Sequence, residues 1–325
     1  MKTVITGASG QDGMFLTNII LNNTPGNVYA LTRKKNNFNI KKLKYLNKNF
    51  DTSRLRVVEI DYQNYNEILK FFEDLKPNYI FNMMGPSSVN KFINSPNNMK
   101  NITIQSFDNL TNSLIETKNF CNFYQASSSE MYGYDSINPF DESSEFRPNS
   151  EYAKSKFQIH NKTLSLKEKY DWNIVSGIMF NHESEFRNNN FLIMRLIENV
   201  LEIKKGKNLN IKVPSLDIAR DWTYAEEISN AAFQLTYNNL SGPYILGSGK
   251  CISLRDISSF LFDLVDLDYK NFVYENKSIM REGEPIKVLS NPKKIETEIG
   301  WKAKLDIFAI VEKMYKFKLN YENKL

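Results

Sequence analysis

Short apolar runs alternate with longer stretches of helical periodicity over the first 180 residues of the chain. Runs of five to eight residues, rich in β-branched and aromatic side chains, predict strands at Lys2–Thr6, Asn27–Thr32, Arg56–Ile60, Tyr79–Met84, Asn122–Ala126 and Asn173–Phe180. Apolar residues at helical spacing predict helices at Gln11–Leu21, Tyr65–Leu75 and Ile104–Thr117, and a further helix after Pro148. Strands that alternate with helices in this way predict an α/β fold with a doubly wound parallel Rossmann sheet.

The alternation becomes irregular after residue 180. We therefore predict a Rossmann domain over residues 1–180 that is completed by about 216–250, and a smaller C-terminal α/β lobe, mainly over 181–325, interleaved with it. With 41% apolar content in 325 residues, the chain can form one large core or two modest cores.

Charge and cysteine content exclude several classes of protein. The net charge of +5 comes from 42 basic and 37 acidic residues that are scattered, except for a basic run at Lys34–Lys48. That run is typical of a nucleic-acid patch or of a solvated or subunit-contacting loop; we favour the loop and expect no nucleic-acid partner. Cys121 and Cys251 are too few for a disulfide framework, and no Cys/His cluster has metal-site spacing. Without an apolar run of about 18 residues or a signal segment, we expect a cytoplasmic protein with no membrane or metal partner.

Three glycines follow the first predicted strand. Gly7, Gly10 and Gly13 have GxxGxxG spacing, and the predicted helix starts among them at Gln11. Glycine is needed there for a tight turn, for close approach of the backbone to a pyrophosphate and for helix–strand packing. The helix N-terminus then offers free N–H groups to the phosphates. Because the glycines lie between a strand and a helix, the pattern predicts a dinucleotide-binding site.

The residues after the second and third predicted strands indicate which dinucleotide is bound. An acidic residue at the end of the second strand would hydrogen-bond a ribose hydroxyl, whereas a cation accommodates a 2′-phosphate. Arg33 and Lys34 stand at this place, which favours NADP over NAD. Asp61 closes the third strand and is placed to meet the adenine ring, unless it is an ordinary strand-end carboxylate.

Tyr152 and Lys156 lie four residues apart in the helix predicted after Pro148. Residues at this spacing share one helix face, so the ammonium can lie close to the phenol and lower its pKa from about 10. Such a tyrosine can exchange a proton with a hydroxyl near neutral pH, although the same pair also occurs on solvated helix faces. Upstream, hydroxyls at Ser127–Ser129 precede the carboxylate of Glu130. The carboxylate implies that a carbon-bound proton is moved in addition to alcohol–ketone redox chemistry.

Six segments carry a resemblance to a known family. They read TGASGQDG, RKKNNFNIKKL, FYQASSSEMYG, PNSEYAKSK, IMFNHES and LDIARDWTYAEE. The chain resembles the extended short-chain dehydrogenase/reductase superfamily and, within it, the GDP-mannose 4,6-dehydratase family over most of its length. The resemblance implies an enzyme that holds NADP and turns a GDP-sugar such as GDP-mannose into its 4-keto-6-deoxy derivative.

The resemblance also implies catalytic roles. Tyr152 would be the base for oxidation at sugar carbon 4, with Lys156 as its partner, and Ser128, where the family has threonine, would hydrogen-bond the hydroxyl at carbon 4. Glu130 would remove the proton at carbon 5 and help to expel water from carbon 6, after which hydride returns to carbon 6. Oxidation must come first because the new ketone acidifies the adjacent C–H.

Binding residues are carried over by the same resemblance. The expected cofactor site comprises Gly7, Gly10, Gln11, Asp12, Gly13, Arg33, Lys34, Asp61, Tyr62, Met84, Tyr152, Lys156 and His182. The expected substrate site, mostly in the C-terminal lobe, comprises Ser87, Asn181, Glu183, Arg187, Arg195, Arg220, Arg281 and Glu284. Arginines suit a diphosphate because the planar guanidinium binds oxygen pairs, and a carboxylate can accept from ribose hydroxyls. His182 is expected to be a structural neighbour of the site rather than a catalytic residue.

The chain also departs from the resembled family. The stretch MGPSSVN stands where the family commonly has a GAQSHV-like stretch, with Pro86 and Ser88 in place of polar residues near the hexose. The identity of the sugar therefore stays open, and a GDP-heptose is one alternative. A 4-epimerase or 4-keto reductase of the same fold would need Tyr152 and Lys156 but not Glu130. A non-catalytic NADP-binding protein would keep the fold without the chemistry; the complete catalytic set favours the dehydratase.

The segment Arg33–Lys44 is long, polar and basic for a loop after a strand, and it lacks the apolar spacing needed to cover a core of its own. In the resembled family the matching loop reaches a neighbouring subunit beside its cofactor and helps to build a tetramer. We therefore expect a homotetramer, with a dimer as the fallback, because closed symmetric assemblies are the norm for soluble oligomers. The alternative is a solvated loop.

Overall fold

The computed structural model describes residues 1–49, 51–85, 96–133, 139–281 and 283–320. The chain divides into two compact units. The first unit comprises Met1–Gly133, Ser144–Met179 and Ile228–Leu246. The second unit comprises Tyr134–Ser143, Phe180–Glu227 and Gly247–Leu325. The assignment of cofactor binding to the one and substrate binding to the other stays a prediction.

Strands supply the framework of both units. In the described part of the chain they are β1 Lys2–Thr6, β2 Asn27–Thr32, β3 Leu55–Glu59, β4 Tyr79–Asn82, β5 Asn122–Ser128, β6 Ile174–Met179, β7 Asn181–Glu183, β8 Ile211–Val213, β9 Ala219–Tyr224, β10 Gly242–Leu246, β11 Cys251–Ser253, β12 Val273–Glu275 and β13 Lys287–Val288. Seven of them form one parallel sheet in the order β10-β6-β5-β4-β1-β2-β3. The strand order reverses between β1 and β4, which is where a doubly wound sheet binds its ligands. The predicted α/β fold is therefore confirmed.

Helices connect these strands. In the described residues the α-helices are α1 Gln11–Asn23, α2 Ile40–Leu46, α3 Tyr65–Leu75, α4 Pro96–Glu116, α5 Glu151–Tyr170, α6 Leu192–Lys204, α7 Ala225–Tyr237, α8 Leu254–Asp263, α9 Lys293–Ile299 and α10 Ile307–Asn320. The bounds of α3 agree with the sequence prediction, whereas α4 begins well before the predicted start at Ile104. Helix bounds of this kind shift because polar residues can extend a helix beyond its apolar stripe.

The basic segment after β2 differs from its prediction as a loop. Residues Ile40–Leu46 form α2, and the Asn39 side chain caps it by accepting a hydrogen bond from the Lys41 N–H at 3.0 Å. Leu43 is fully buried and Phe38 is 8% exposed. The loop prediction is wrong here, because the segment forms a short capped helix that packs against α1 and buries Leu43.

The core of the first unit lies between the sheet and its helices. Val4, Ile80 and Phe123 come from neighbouring strands and pack in one cluster with Phe72 of α3 and with Trp172. All of these side chains are at most 1% exposed. Apolar residues from neighbouring strands and helices therefore cover this part of the sheet.

The second unit contains smaller sheets. Strand β9 pairs with β11, β13 and β7, and β8 pairs with β12. Among the residues that the structure describes, no helix is long and apolar enough to cross a membrane. The same residues contain no group of three or more His, Cys, Asp or Glu side chains that could hold a metal ion.

Candidate active site

The glycine-rich turn between β1 and α1 is tightly packed against backbone. Gly7 has a φ of +63°, and a Cβ at this position would lie 2.7 Å from the carbonyl oxygen of Met83. A Cβ on Gly13 would lie 2.6 Å from the Cα of Ala8. Side chains are therefore excluded at both positions, and the backbone at the start of α1 is open to a ligand with phosphate groups.

Tyr62 supports this turn from behind. Its side chain is 7% exposed, its hydroxyl donates to the Leu31 carbonyl at 3.3 Å, and the backbone of Gly7 hydrogen-bonds the same hydroxyl. Burial raises the pKa of Tyr62 above its ordinary value, so the phenol stays neutral. Tyr62 is predicted to bind cofactor, and that role stays a prediction; its contacts also position the glycine turn.

Two further predicted cofactor residues lie at strand ends. The backbone N–H of Met84 donates to the Thr6 hydroxyl at 3.3 Å, which ties the end of β4 to the end of β1. Asp61 is exposed, and its carboxylate accepts from the backbone N–H of Gln63 at 3.0 Å. This turn holds the Asp61 carboxylate in place at the surface.

The helix that follows the glycines begins with two polar residues. The side-chain amide of Gln11 donates to the Asp12 carboxylate at 3.3 Å. The backbone carbonyl of Asp12 accepts from the hydroxyl of Ser229 at 3.3 Å. Asp12 therefore occupies the first turn of α1, at the end where phosphates are expected.

Arg33 and Lys34 directly follow β2 and are exposed. The carbonyl of Lys34 accepts from the Thr32 hydroxyl at 2.8 Å, and the next backbone N–H, at Lys35, donates to Glu59 at 3.0 Å. The turn is thus held by its backbone, which leaves both cationic side chains accessible at the carboxyl end of β2.

Ser128 ends β5 and begins a short 3-10 helix, Ser129–Tyr132. Its hydroxyl accepts from the backbone N–H of Glu130 at 3.3 Å, as an N-cap does. The side chain of Ser128 is 8% exposed and that of Glu130 is half-buried. The predicted hydroxyl and carboxylate are therefore held on one turn, which packs against α5.

Tyr152 and Lys156 lie on one face of α5 as predicted. The helix begins after Ser150, whose hydroxyl accepts from the Ala153 N–H at 3.1 Å. Tyr152 is 8% and Lys156 is 6% exposed, so the alternative of a solvated face is wrong. The Lys156 nitrogen lies 6.0 Å from the centre of the Tyr152 ring and donates to the Ala126 carbonyl at 3.0 Å.

Burial lowers the pKa of Lys156 to about 8, against the opposing influence of the Asp12 carboxylate. The ammonium form therefore persists at neutral pH but is easily lost in mild alkali. A cation beside a phenol favours the phenolate. The pair can accordingly accept a proton from a bound hydroxyl.

His160 lies on α5 after Tyr152 and Lys156 and was not predicted from the sequence as a site residue. It lies one turn after Lys156, is 1% exposed, and its Nδ1 is 2.8 Å from the hydroxyl of Ser176 and 3.4 Å from that of Ser127. Burial lowers the pKa of His160 to about 4, so the imidazole is neutral at physiological pH. The spacing of four residues between Lys156 and His160 is the sequence pattern that could have predicted this position.

In the second unit, β7 carries three of the predicted residues: Asn181, His182 and Glu183. The Nδ1 of His182 donates to the Phe180 carbonyl at 2.7 Å, a structural contact. Glu183 pairs with Arg187 at 3.2 Å. The guanidinium carbon of Arg187 lies 3.5 Å from the centre of the Phe191 ring, so this arginine is held by a charge and by a ring face.

Arg220, Arg281 and Glu284 form a second cluster. Glu284 accepts from Arg220 at 3.0 Å and from Arg281 at 2.7 Å. Burial raises the pKa of Glu284, but the hydrogen bonds and charges of Arg281 and Arg220 outweigh it, so the pKa lies below its usual range. The cluster carries a net positive charge from two guanidiniums and one carboxylate.

Arg195 and Ser87 are the remaining predicted substrate residues. Arg195 is exposed on α6, where its backbone N–H donates to the Phe191 carbonyl at 2.9 Å. Ser87 lies outside the described residues, as do Pro86 and Ser88.

Asp221, beside Arg220, was not predicted as a site residue. It is fully buried and accepts hydrogen bonds from the backbone N–H groups of Ser248 at 2.8 Å and Gly249 at 2.9 Å, and from the Ser290 hydroxyl at 2.5 Å. One carboxylate thus joins β9 to two loops. The RDW motif was the available signal, because its aspartate directly follows the assigned arginine.

Comparison with known proteins identifies the family. Residues 4–314 match the profile of a family described as GDP-mannose 4,6 dehydratase. The chain belongs to the GDP-mannose 4,6-dehydratase family. GDP-mannose 4,6 dehydratase 1 of Arabidopsis thaliana is 25% identical over 318 residues, which cover 96% of this chain and 88% of that relative. The GDP-mannose 4,6 dehydratase of Homo sapiens is 27% identical over 289 residues, 86% of this chain and 74% of that relative.

Solved structures share the fold of this member of the GDP-mannose 4,6-dehydratase family. DesIV, a dTDP-glucose 4,6-dehydratase from Streptomyces venezuelae with NAD and TYD bound, has a TM-score of 0.85 at 19% identity over 98% of each chain. A UDP-N-acetylglucosamine 4-epimerase from Methanobrevibacter ruminantium has a TM-score of 0.83 at 21% sequence identity, and the match covers 98% of each chain. RMD from Pseudomonas aeruginosa, complexed with NADPH, has a TM-score of 0.78 at 18% sequence identity, and the match covers 97% of this chain and 98% of that one. Identities this low show a likeness of fold alone.

Proposed function

We propose that the protein is a nucleotide-sugar 4,6-dehydratase that converts GDP-mannose, or a closely related GDP-sugar, to its 4-keto-6-deoxy derivative. The observation that carries this proposal is the carboxylate of Glu130 on the turn that packs against α5, the helix of Tyr152 and Lys156. Oxidation alone needs only the tyrosine and lysine. Membership of the GDP-mannose 4,6-dehydratase family supports the same conclusion.

Oxidation at carbon 4 is the first step of the proposed reaction. Tyr152 accepts the proton of the carbon 4 hydroxyl, while the Ser128 hydroxyl hydrogen-bonds the same oxygen. The Lys156 ammonium favours the phenolate and is itself held by the Ala126 carbonyl at 3.0 Å. Both Tyr152 and Lys156 are buried, so water competes little for the proton.

Elimination follows because the ketone at carbon 4 acidifies the proton at carbon 5. Glu130 takes that proton and then gives a proton to the hydroxyl that leaves carbon 6. One carboxylate can serve as base and then as acid within a single site. The sugar loses one water in this step.

A nicotinamide dinucleotide, when bound, supplies reversible acceptance of a hydride from carbon 4 and its return to carbon 6. The residues present fit such a group, because side chains are excluded at Gly7 and Gly13 and the start of α1 can face phosphates. We propose NADP rather than NAD, since the accessible cations Arg33 and Lys34 follow β2. Gln11, Asp12, Asp61 and Met84 are proposed to complete this site.

The substrate's nucleotide is proposed to meet the arginines of the second unit. The cluster of Arg220, Arg281 and Glu284 is positively charged, and guanidinium groups bind diphosphate oxygens in pairs. Further substrate contacts are proposed for Ser87, Asn181, Glu183, Arg187 and Arg195. The sugar is proposed to be mannose, with a heptose as the alternative.

A nucleotide-sugar 4-epimerase or 4-keto reductase is the second candidate function. It is supported by the fold shared with the Methanobrevibacter ruminantium epimerase. Such an enzyme would use Tyr152 and Lys156 in the same way but would leave Glu130 without a chemical task. The carboxylate therefore favours the dehydratase.

Incubation with a panel of nucleotide sugars, followed by mass spectrometry, tests the proposal. The panel contains GDP-mannose, a GDP-heptose, dTDP-glucose and UDP-N-acetylglucosamine, each with NADP+ or NAD+, and a 4-keto nucleotide sugar with NADPH or NADH. Loss of one water from a GDP-sugar is the expected result. A product of unchanged mass would indicate an epimerase, and a gain of two hydrogens from a 4-keto sugar would indicate a reductase; either would overturn the dehydratase.

Replacing Glu130 with Gln should separate the two halves of the reaction. Reduced cofactor should still form on substrate addition, because oxidation depends on Tyr152 and Lys156. Water loss should fall by about 10²–10⁴-fold, the usual contribution of a positioned acid–base group. Glu145→Gln is the matched control, since Glu145 is an exposed carboxylate paired with Arg147. Dehydration at the parental rate in Glu130→Gln would show the assignment to be wrong.

We also propose a cytoplasmic homotetramer, with a dimer as the fallback. The polar and basic segment after β2, including the exposed Lys41 on α2 and the 40% exposed Ile40, supports a contact between subunits. Light scattering at micromolar concentration tests this proposal. A fully active particle with the mass of a single 37.9 kDa chain would contradict it.

A further inference from the structure

Three polar side chains are buried side by side at the ends of β1 and β4 and in the middle of β5. Thr6, Asn82 and Gln125 are 0%, 2% and 1% exposed. They are direct cross-strand partners, since Thr6 pairs with Asn82 and Asn82 with Gln125 in the parallel register. The Thr6 hydroxyl donates to Asn82 Oδ1 at 2.6 Å, and Asn82 Nδ2 donates to Gln125 Oε1 at 2.7 Å. We call this set the Thr6–Asn82–Gln125 chain.

Each end of the Thr6–Asn82–Gln125 chain meets a part of the candidate site. At one end the Thr6 hydroxyl accepts from the N–H of Met84 at 3.3 Å, and the preceding carbonyl, of Met83, packs against Gly7. At the other end Gln125 Nε2 donates to the Ala126 carbonyl at 2.9 Å. That carbonyl also accepts from Lys156 at 3.0 Å. A continuous path of hydrogen bonds therefore runs from the Met84 N–H to the lysine, and packing of Met83 against Gly7 joins it to the glycine turn.

The bonds in this path depend on one another. From Met84 to Ala126 every donor points in the same direction, an arrangement in which neighbouring hydrogen bonds strengthen each other. Thr6, Asn82, Gln125 and Ala126 are buried, so removing one partner among them leaves the next without a replacement from solvent. Gln125 and Lys156 share one acceptor, so the amide helps to fix the orientation of the carbonyl that holds the lysine.

We propose that the Thr6–Asn82–Gln125 chain couples the glycine turn to Lys156, and that Gln125 is a positioning residue for the ammonium. The proposal rests on the proposed function only in that Lys156 serves Tyr152 and the glycine turn serves a dinucleotide. A disturbance at Gln125 should accordingly be felt at the dinucleotide site, although Gln125 itself is buried within the sheet.

A double-mutant cycle with Thr6→Val and Gln125→Met tests the coupling. NADPH and NADH are the probes, and their dissociation constants are measured by fluorescence without substrate. Of the two probes, the one that the native protein binds more tightly is used for the comparison. Each single variant should bind it about 3- to 10-fold more weakly, the effect of losing about one buried hydrogen bond. The double variant should be no weaker than the worse single variant, because either change breaks the same path. The proposal would be overturned if the two fold-losses of affinity multiply in the double variant, or if Gln125→Met binds the dinucleotide as tightly as the native protein.

Matched controls lie at the opposite ends of the same strands. Thr3 is fully buried on β1 and its hydroxyl is 2.8 Å from that of Tyr237, while the Asn122 amide on β5 donates to Asn239 at 2.6 Å. Thr3→Val and Asn122→Met should change either dissociation constant by less than about 2-fold. A native protein that binds neither dinucleotide would contradict the proposed function instead, so the two failures are distinguishable.

Gln125→Glu is a second variant, which should affect the Lys156 end of the Thr6–Asn82–Gln125 chain but not the end at the glycine turn. Its carboxylate can still accept from Asn82, but it has no N–H for the Ala126 carbonyl. Dinucleotide affinity should therefore stay within about 2-fold of native, whereas the added negative charge should raise the pKa of Lys156. Carbon-13 NMR of labelled lysines in the dinucleotide-free protein measures that titration, with Lys156→Met to assign the signal. An unchanged Lys156 titration, or a loss of affinity equal to that of Gln125→Met, would count against the proposal.

Discussion

The predicted catalytic residues of the first unit and the arginine cluster of the second unit are arranged in different ways. Ser128 and Glu130 share one turn, and Tyr152 and Lys156 share one helix face. Their arrangement follows from local backbone geometry. In contrast, Arg220 and Glu284 are 64 residues apart and meet through an ion pair at 3.0 Å. Local spacing could therefore predict the first arrangement, whereas only family resemblance pointed to the second.

The two regions also differ in what shifts the pKa of their charged groups. Lys156 is buried and donates to a carbonyl, and burial lowers its pKa to about 8. Glu284 is also sheltered, but two guanidiniums hold its pKa below the usual range. A group whose pKa lies near the working pH suits proton transfer, whereas a permanently paired cluster suits the binding of anions. Substitutions in the first region should therefore change turnover, and those in the second should change affinity.

Lys156→Met should give the largest loss. Without the ammonium the phenol of Tyr152 keeps its proton, so formation of reduced cofactor on substrate addition should slow by about 10²–10⁴-fold. The matched control is Lys154→Met, because Lys154 is an exposed lysine of the same helix that pairs with Glu151. Single-turnover absorbance measures the rate, and equal rates in the two variants would show that Lys156 has no catalytic task.

The pH dependence follows from the same lysine. In the native protein the oxidation rate should fall as pH rises through about 8, because the ammonium loses its proton there. Between about 8 and 10.5 the unfolded chain keeps the proton that folded Lys156 has lost, so the free energy of unfolding should rise with pH. Urea titrations of native protein and Lys156→Met measure this, and a rise of the same size in both would refute the link.

Arg220→Met should have a smaller effect that is confined to binding. Loss of this guanidinium leaves the buried Glu284 with Arg281 alone and lowers the positive charge of the cluster. We expect KM for a GDP-sugar to rise by about 10- to 100-fold with little change in kcat. Arg255→Met is the control, since Arg255 forms an exposed pair with Asp217. A fall in kcat at unchanged KM would place Arg220 in the chemistry rather than in binding.

The sequence predicted what depends on neighbours along the chain. The bounds of β1 and β2 and the glycine turn agree with the structure because β-branched runs and glycine spacing act locally. Helix α2 was missed because Leu43 is its one buried residue, which leaves no apolar periodicity in the sequence. The Thr6–Asn82–Gln125 chain was also missed, since its bonds join residues 76 and 43 positions apart. Such long-range polar contacts leave no periodic signal.

The smallest expected effect concerns Arg33 and Lys34, which belong to the first unit but act by charge, as the arginine cluster does. Both side chains are exposed, so water and salt screen them, and replacing both with Ala should weaken NADP binding only about 5- to 20-fold. NAD binding should change little, because NAD lacks the 2′-phosphate. Lys302→Ala with Lys304→Ala removes the same charge from an exposed stretch of the second unit and serves as the control. If titrations at two salt concentrations give equal losses for NADP and NAD, the two cations do not read the 2′-phosphate, and the preference for NADP must come from elsewhere in the site.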